Sequence, residues 1–218
     1  MAKKRKRRKG AVFGEGALGP VYLTQYEVTY EPLQEPAYRR LPKVVKEQLE
    51  RLHDEAQKNP REAIPKLLEL KRKYPRVPQI YNYLAVAYSS MGEMEKAEEI
   101  TQENMRRNPK YLFAKINQAQ FYLKRGEYDK IPALFDNKYD LQMLYPGRKR
   151  FHIAEVANFM GIMGLYFAKS GQREVAEKYN KILQEIAPEY PIARQLDREL
   201  NPGLAVRMLK RLLGEQDE

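Results

Sequence analysis

Three stretches of the chain have residue types and spacing that could do chemistry. The first, Gly14-Glu15-Gly16-Ala17-Leu18-Gly19-Pro20-Val21, fits a glycine-rich phosphate-cradling loop letter by letter, and fits the shorter dinucleotide fingerprint as well. Such a loop would hold phosphates on its backbone N–H groups. Its context excludes that use. Phosphoryl transfer of this kind needs a strand lysine, an His-Arg-Asp loop and an Asp-Phe-Gly magnesium site, and none occurs in the chain. A dinucleotide loop follows a strand and opens a helix, whereas this one follows a charged tail and runs into Pro20. A flexible glycine linker accounts for it better.

The second stretch is the unbroken run Lys3, Lys4, Arg5, Lys6, Arg7, Arg8, Lys9, joined far downstream by Arg148, Lys149 and Arg150. Their chemistry would be gripping phosphates. The run supplies +7 of the net +11, leaving 33 Lys and Arg against 29 acidic residues elsewhere, so the basicity is a property of the tail. Seven like charges repel and cannot bury, so residues 1–10 are expected to be disordered alone and attracted to polyanions. The alternatives are a solvating tail and, in a nucleated host, an import signal. The third candidates, His53 and His152, stand without the carboxylate or second histidine that a metal site or general base needs at helical spacing, and read as surface or packing residues. With no cysteine, disulfides and thiolate-metal sites are excluded. No cofactor and no enzymatic activity are expected. Without a run of roughly 18 apolar residues no membrane span or membrane partner is expected, and the expected location is cytoplasmic.

The elements that would carry these residues are helical and repeated. Between Pro78 and Tyr111 the chain reads Tyr81-x2-Leu84-Ala85-x2-Tyr88, then Gly92, Ala97 and Pro109. Large residues at helical spacing fill the space between two helices, alanines let them approach, and glycine permits the turn. Ala63 to Ala97, Pro75 to Pro109, Tyr88 to Tyr122 and Gly92 to Gly126 are each 34 residues apart. Gly126 to Gly171 is 45, which is one period plus 11 residues between Asp136 and Arg150. After it Met163-Gly164-x2-Phe167, Gly171, Ala176 and Pro188 restore the pattern. This pattern resembles the tetratricopeptide repeat.

The resemblance implies an all-α, tetratricopeptide-like helical-hairpin solenoid of about 3.5 to 4 repeats over residues 42–190, preceded by an extended arm at 11–41 and closed by C-terminal capping helices over 191–218. The first pair, Pro42 to Lys58 and Arg61 to Lys73, is degenerate. Nearly complete repeats follow at Pro78 to Tyr111, Leu112 to about Tyr145, and Ala157 to Tyr190, the last starting early because Phe151 to Ser170 is continuously helix-compatible. The closing segments are Ile192 to Leu200 and Gly203 to Leu213. In the arm, Val21 to Tyr30 alternates as a strand with no second strand in view, so it docks on the helices, pairs with another chain or stays mobile. Its prolines argue against helix before Leu41. The insertion is too apolar for a free loop, through Tyr139, Leu141, Leu144 and Tyr145, and should be ordered against a helix with Arg148 to Arg150 outward.

The family also implies where a ligand lies. First helices line a concave groove with the residues that packing leaves free: Asn82 and Val86; then Phe113, Ile116, Gln120, Leu123 and Lys124; then Asn158, Leu165 and Lys169. Phe113, Ile116, Leu123 and Leu165 make an apolar stripe for a partner segment or for the arm. Family members that clamp terminal carboxylates use groove lysines, whose places Asn82, Ile116 and Gly161 leave unfilled. The expected function is a non-enzymatic scaffold that holds an extended or helical protein segment. The alternative is a nucleic-acid accessory factor working through the tail.

Overall fold

The computed structural model describes residues 11–16, 19–23, 26–33 and 35–203. They fall into two compact units, residues 33–121 and the N-terminal arm with residues from 122 onward. The basic tail, Ala17, Leu18, Thr24 and everything from residue 204, which takes in nearly all of the Gly203 to Leu213 segment, lie outside the described residues.

The arm is not a plain linker. β1 (Ala11–Gly16) and β2 (Gly19–Leu23) pair antiparallel, with a register shift between Phe13 and Glu15. The described part of the glycine-rich stretch therefore lies on two paired strands, Glu15 opposite Pro20 and Gly16 opposite Gly19, which corrects the linker reading. β3 (Glu27–Thr29) also has a partner. It runs parallel to β4 (Arg150–His152), with Val28 opposite Phe151 and Thr29 opposite His152. The missing second strand thus comes from the end of the insertion, 123 residues away. A one-turn helix, α1 (Pro36–Arg39), precedes Leu41 after all, because Pro36 stands in its first turn, where a missing N–H costs nothing.

In the unit of residues 33–121, helix pairs follow. α2 (Lys43–Lys58) packs on α3 (Pro60–Lys73), and α4 (Pro78–Ser90) on α5 (Met94–Arg107). Pro60 and Pro78 open their helices, with φ preset for the first turn. Leu49, Leu52, Ala63, Leu67, Leu70, Ile80 and Leu84 share one core. Ala85 and Ala97 are buried where α4 and α5 approach. Gly92, which joins that pair, has φ of 78°, and Gly126 and Gly171 repeat it at 74° and 75°, so the periodic turn needs a left-handed residue each time.

α6 (Leu112–Arg125) begins the next repeat, but its partner helix is cut short. Only a 3-10 turn at Tyr128–Lys130 and α7 (Ile131–Leu134) form before Asp136 and Asn137 take left-handed φ of 54° and 55° and end the run. Ile131 occupies the position that is alanine in the other pairs, a bulkier group at the close approach, and Pro132 follows it. The expectation of a nearly complete repeat over 112–145 is corrected accordingly. The insertion is ordered. Asp140 caps α8 (Leu141–Leu144) by accepting from the Gln142 and Met143 amides at 2.8 and 3.3 Å, Leu141 and Leu144 are buried, and Tyr139 stacks on Tyr166, 6.2 Å between rings.

α9 (Ile153–Lys169), α10 (Arg173–Ile186) and α11 (Pro191–Leu200) complete this unit, with α9 starting two residues later than the apolar run suggests because 150–152 belong to β4. α11 packs on α9 so closely that a Cβ on Gly161 would lie 2.5 to 2.9 Å from three Ile192 carbons.

Candidate protein-binding face

Residues 33–121 hold a face of half-buried polar groups. Gln79, Asn82 and Val86 lie at i, i+3, i+7 on α4, and Phe113, Asn117 and Gln120 at i, i+4, i+7 on α6, so each trio shares one side of its helix. All six are half-buried. The Asn117 amide donates to Asn82 Oδ1 at 2.8 Å and ties the two rows together. The Asn82 nitrogen has no hydrogen-bond partner among the described residues, and Gln79 Oε1 is buried without one. Four carboxamides, each with donors and an acceptor, thus alternate with the apolar Val86 and Phe113. Beneath them Tyr83 turns toward α2, where burial, with Tyr38, Glu50 and Asp54 nearby, pushes its phenol up to about 12.

Asn117 was missed in the sequence, although its 35-residue separation from Asn82 is within one residue of the repeat period. Ile116 was assigned to the apolar stripe. It is 2% exposed, a core residue, and the stripe on α6 is corrected to Phe113 with the half-buried Leu123, while Lys124 is exposed at the helix end.

In the other unit the expected groove residues are mostly committed elsewhere. Leu165 is 2% exposed and Gly161 lies under Ile192, so this face of α9 is covered by packing. Asn158 donates to the Ala154 carbonyl of its own helix at 2.8 Å, and Lys169 pairs with Glu199 at 2.6 Å. The apolar stripe does not continue bare onto α9.

The downstream phosphate-gripping cations are also engaged. Arg148 forks onto Glu155, 3.0 and 2.8 Å to its two oxygens, and its guanidinium lies over the Phe151 ring at 4.4 Å. Arg150 pairs with Glu27 at 2.9 Å across the β3–β4 pair. Only Lys149 of the three is an exposed cation without a salt bridge among the described residues; Arg150 is exposed as expected though paired, whereas Arg148 is half-buried, which corrects the outward presentation of Arg148 alone. His152 has a role the sequence reading left out. Its Nδ1 accepts from the Ala154 amide at 3.1 Å while Glu155 accepts from the His152 amide at 3.0 Å, a capping box that starts α9. The signal was the x-x-Glu spacing just before an apolar run. His53 is exposed beside Asp54, with its ring edge-on to Tyr83. Among the described residues no group of three His, Asp or Glu side chains is placed to hold a metal ion, and no helix is long and apolar enough to cross a membrane.

No family model matches the chain. A stretch of 85 residues, 39% of the chain, is 34% identical to the TPR repeat-containing protein YvcD of Bacillus subtilis (strain 168), and the match spans 17% of that protein's length. The fold is similar to a crystal structure of TPR-like repeats of a putative kinesin light chain from Podosopora anserina, with a TM-score of 0.50 over 84% of this chain and 93% of that one, at 18% identity.

Proposed function

The chain is a tetratricopeptide-repeat protein, and from that premise we propose that it is a non-enzymatic scaffold that holds an extended protein segment against α4 and α6. The observation that supports this reading is the row of carboxamides tied by the Asn117–Asn82 bond, with unfilled hydrogen-bond capacity on Asn82 and Gln79. An extended segment presents N–H and C=O groups in alternation, and only groups that both donate and accept can satisfy it in either register. Val86 and Phe113 would take apolar side chains between those contacts. The α9 face contributes little to this reading because packing already fills it.

Site-specific photocrosslinking in cell extract tests the proposal. A photoreactive side chain at Gln120 or Val86 is expected to give discrete protein adducts that Asn82→Ala with Asn117→Ala abolishes, while the same group at the exposed Glu95 of α5 gives none. Adducts from Glu95 alone, or adducts indifferent to the asparagine pair, would move the binding surface off α4 and α6.

A further inference from the structure

Away from the amide row, residues 33–121 gather cations along one edge. The last turn of α3 carries Lys71, Arg72 and Lys73, the last turn of α5 carries Arg106 and Arg107, and the connection after each helix adds one more, Arg76 and Lys110. The two rows are copies. Arg72 to Arg106, Lys73 to Arg107 and Arg76 to Lys110 are each 34 residues apart, so repeat geometry sets the second beside the first. One carboxylate joins them, since Glu103 accepts from Lys71 Nζ and, at 2.8 Å, from Arg107 Nε. Burial works against ionising Glu103, but the bonds from Lys71 and Arg107 outweigh it and hold the carboxyl below its ordinary range. Lys71 also sits 5.4 Å from the centre of the Tyr81 ring, and Lys73 is held by Glu69 at 2.6 Å.

Lys71, Lys73 and Arg107 therefore serve the fold. Arg72, Arg76 and Arg106 do not. All three are exposed and form no salt bridge among the described residues. Cations in a last helical turn complement the helix dipole, an effect that fades within that turn. It does not explain Arg76, three residues past the end of α3. What remains is a set of guanidinium forks, two of them one repeat apart, matched to a partner that presents repeated anionic groups whose oxygens can be gripped two at a time. Between Arg72 and Arg76 in the chain lies Tyr74, which packs against the core of this unit and is only half-buried. Adjacent helix ends are on the order of 10 Å apart, well short of the roughly 34 Å of a duplex turn.

We propose that this edge binds the phosphate backbone of single-stranded RNA, with Arg72, Arg76 and Arg106 as the contacting cations. It is distinct from the amide row and independent of the basic tail.

The test uses the full-length chain with its seven tail cations at 3–9 replaced by serine, and a fluorescein-labelled oligouridylate read by anisotropy across a salt series. Binding is expected, with a log-affinity slope against log salt that drops by about 2 in the triple variant Arg72→Gln, Arg76→Gln, Arg106→Gln, from roughly 0.7 per single-strand phosphate. These three residues hold no salt bridge, so the far-ultraviolet spectrum and melting temperature should stay as in the parent. A well-folded triple variant with unchanged affinity and slope would overturn the proposal, as would failure of the tail-neutralised chain to bind at all. Polyglutamate that displaces the oligonucleotide at equal charge concentration would overturn it in favour of an acidic protein segment.

Discussion

Replacing Glu155 with alanine removes three interactions at once. The carboxylate sits at the start of α9 with its side chain 9% exposed, accepts from both Arg148 terminal nitrogens and closes the capping box on the His152 amide. Loss of a helix cap costs about 0.5 to 2 kcal/mol. Stranding one partner of a buried ion pair costs about 3 to 5 kcal/mol. Arg148 is 32% exposed and keeps its stack on Phe151, so water can recover part of its solvation, and about 1 to 2 kcal/mol is the appropriate share. The sum, about 1.5 to 4 kcal/mol, corresponds to a melting temperature lower by roughly 3 to 16 °C for a chain of this size. A thermal melt by circular dichroism reads the total, and amide exchange at His152 reads the local opening. Glu155→Gln keeps an acceptor for the amide and should lose less. Arg148→Met keeps the stem over Phe151, and together with Glu155→Gln it should cost about 1 to 3 kcal/mol less than the two singles added. Additive singles, or a melt unmoved by Glu155→Ala, would refute the account of this pair.

Gly161→Ala should destabilise despite the roughly 1 kcal/mol helix-propensity gain, because its methyl must displace Ile192, and overpacking costs typically about 1 to 3 kcal/mol; a raised melting temperature would mean α11 does not lie on α9 as described. Stability at alkaline pH follows from the buried phenols. Tyr83 and Tyr139 are each pushed up to about 12 by burial, so the neutral forms support the fold fully below the unfolded value near 10, and that support is lost as pH rises from 10 through about 12. A melting temperature flat to pH 10 and falling beyond it is expected, with a shallower fall in Tyr83→Phe. No difference between that variant and the parent would place the Tyr83 ring in water.

What the sequence made legible was whatever one repeat decides by itself. Gly92 must turn left-handed and Ala97 must be small because two helices joined by a short turn leave no other choice, and both facts are local. Val86 and Ile116 each sit on the free side of a first helix by spacing, yet one is half-buried and the other 2% exposed. Spacing names the side of a helix but not what later packs on it. The β3–β4 pairing lay beyond reach for a related reason, since a three-residue strand carries almost no pattern and its partner is 123 residues on.

Contacts between repeats are a middle case, and they were readable in principle. Lys71 meets Glu103 at a separation of 32 residues, Asn82 meets Asn117 at 35, and Lys169 meets Glu199 at 30. Each value lies within four of the 34-residue period, as it must when a side chain reaches the equivalent turn of the next repeat. Charges in a solenoid can therefore be paired on paper by looking one period ahead for the opposite sign. By that rule Lys71 is taken by Glu103, whereas Arg72 finds Arg106 at its period and Arg76 finds Lys110. Arg72 and Arg106 thus stand at equivalent turns of successive repeats as two exposed cations, neither with a salt bridge among the described residues.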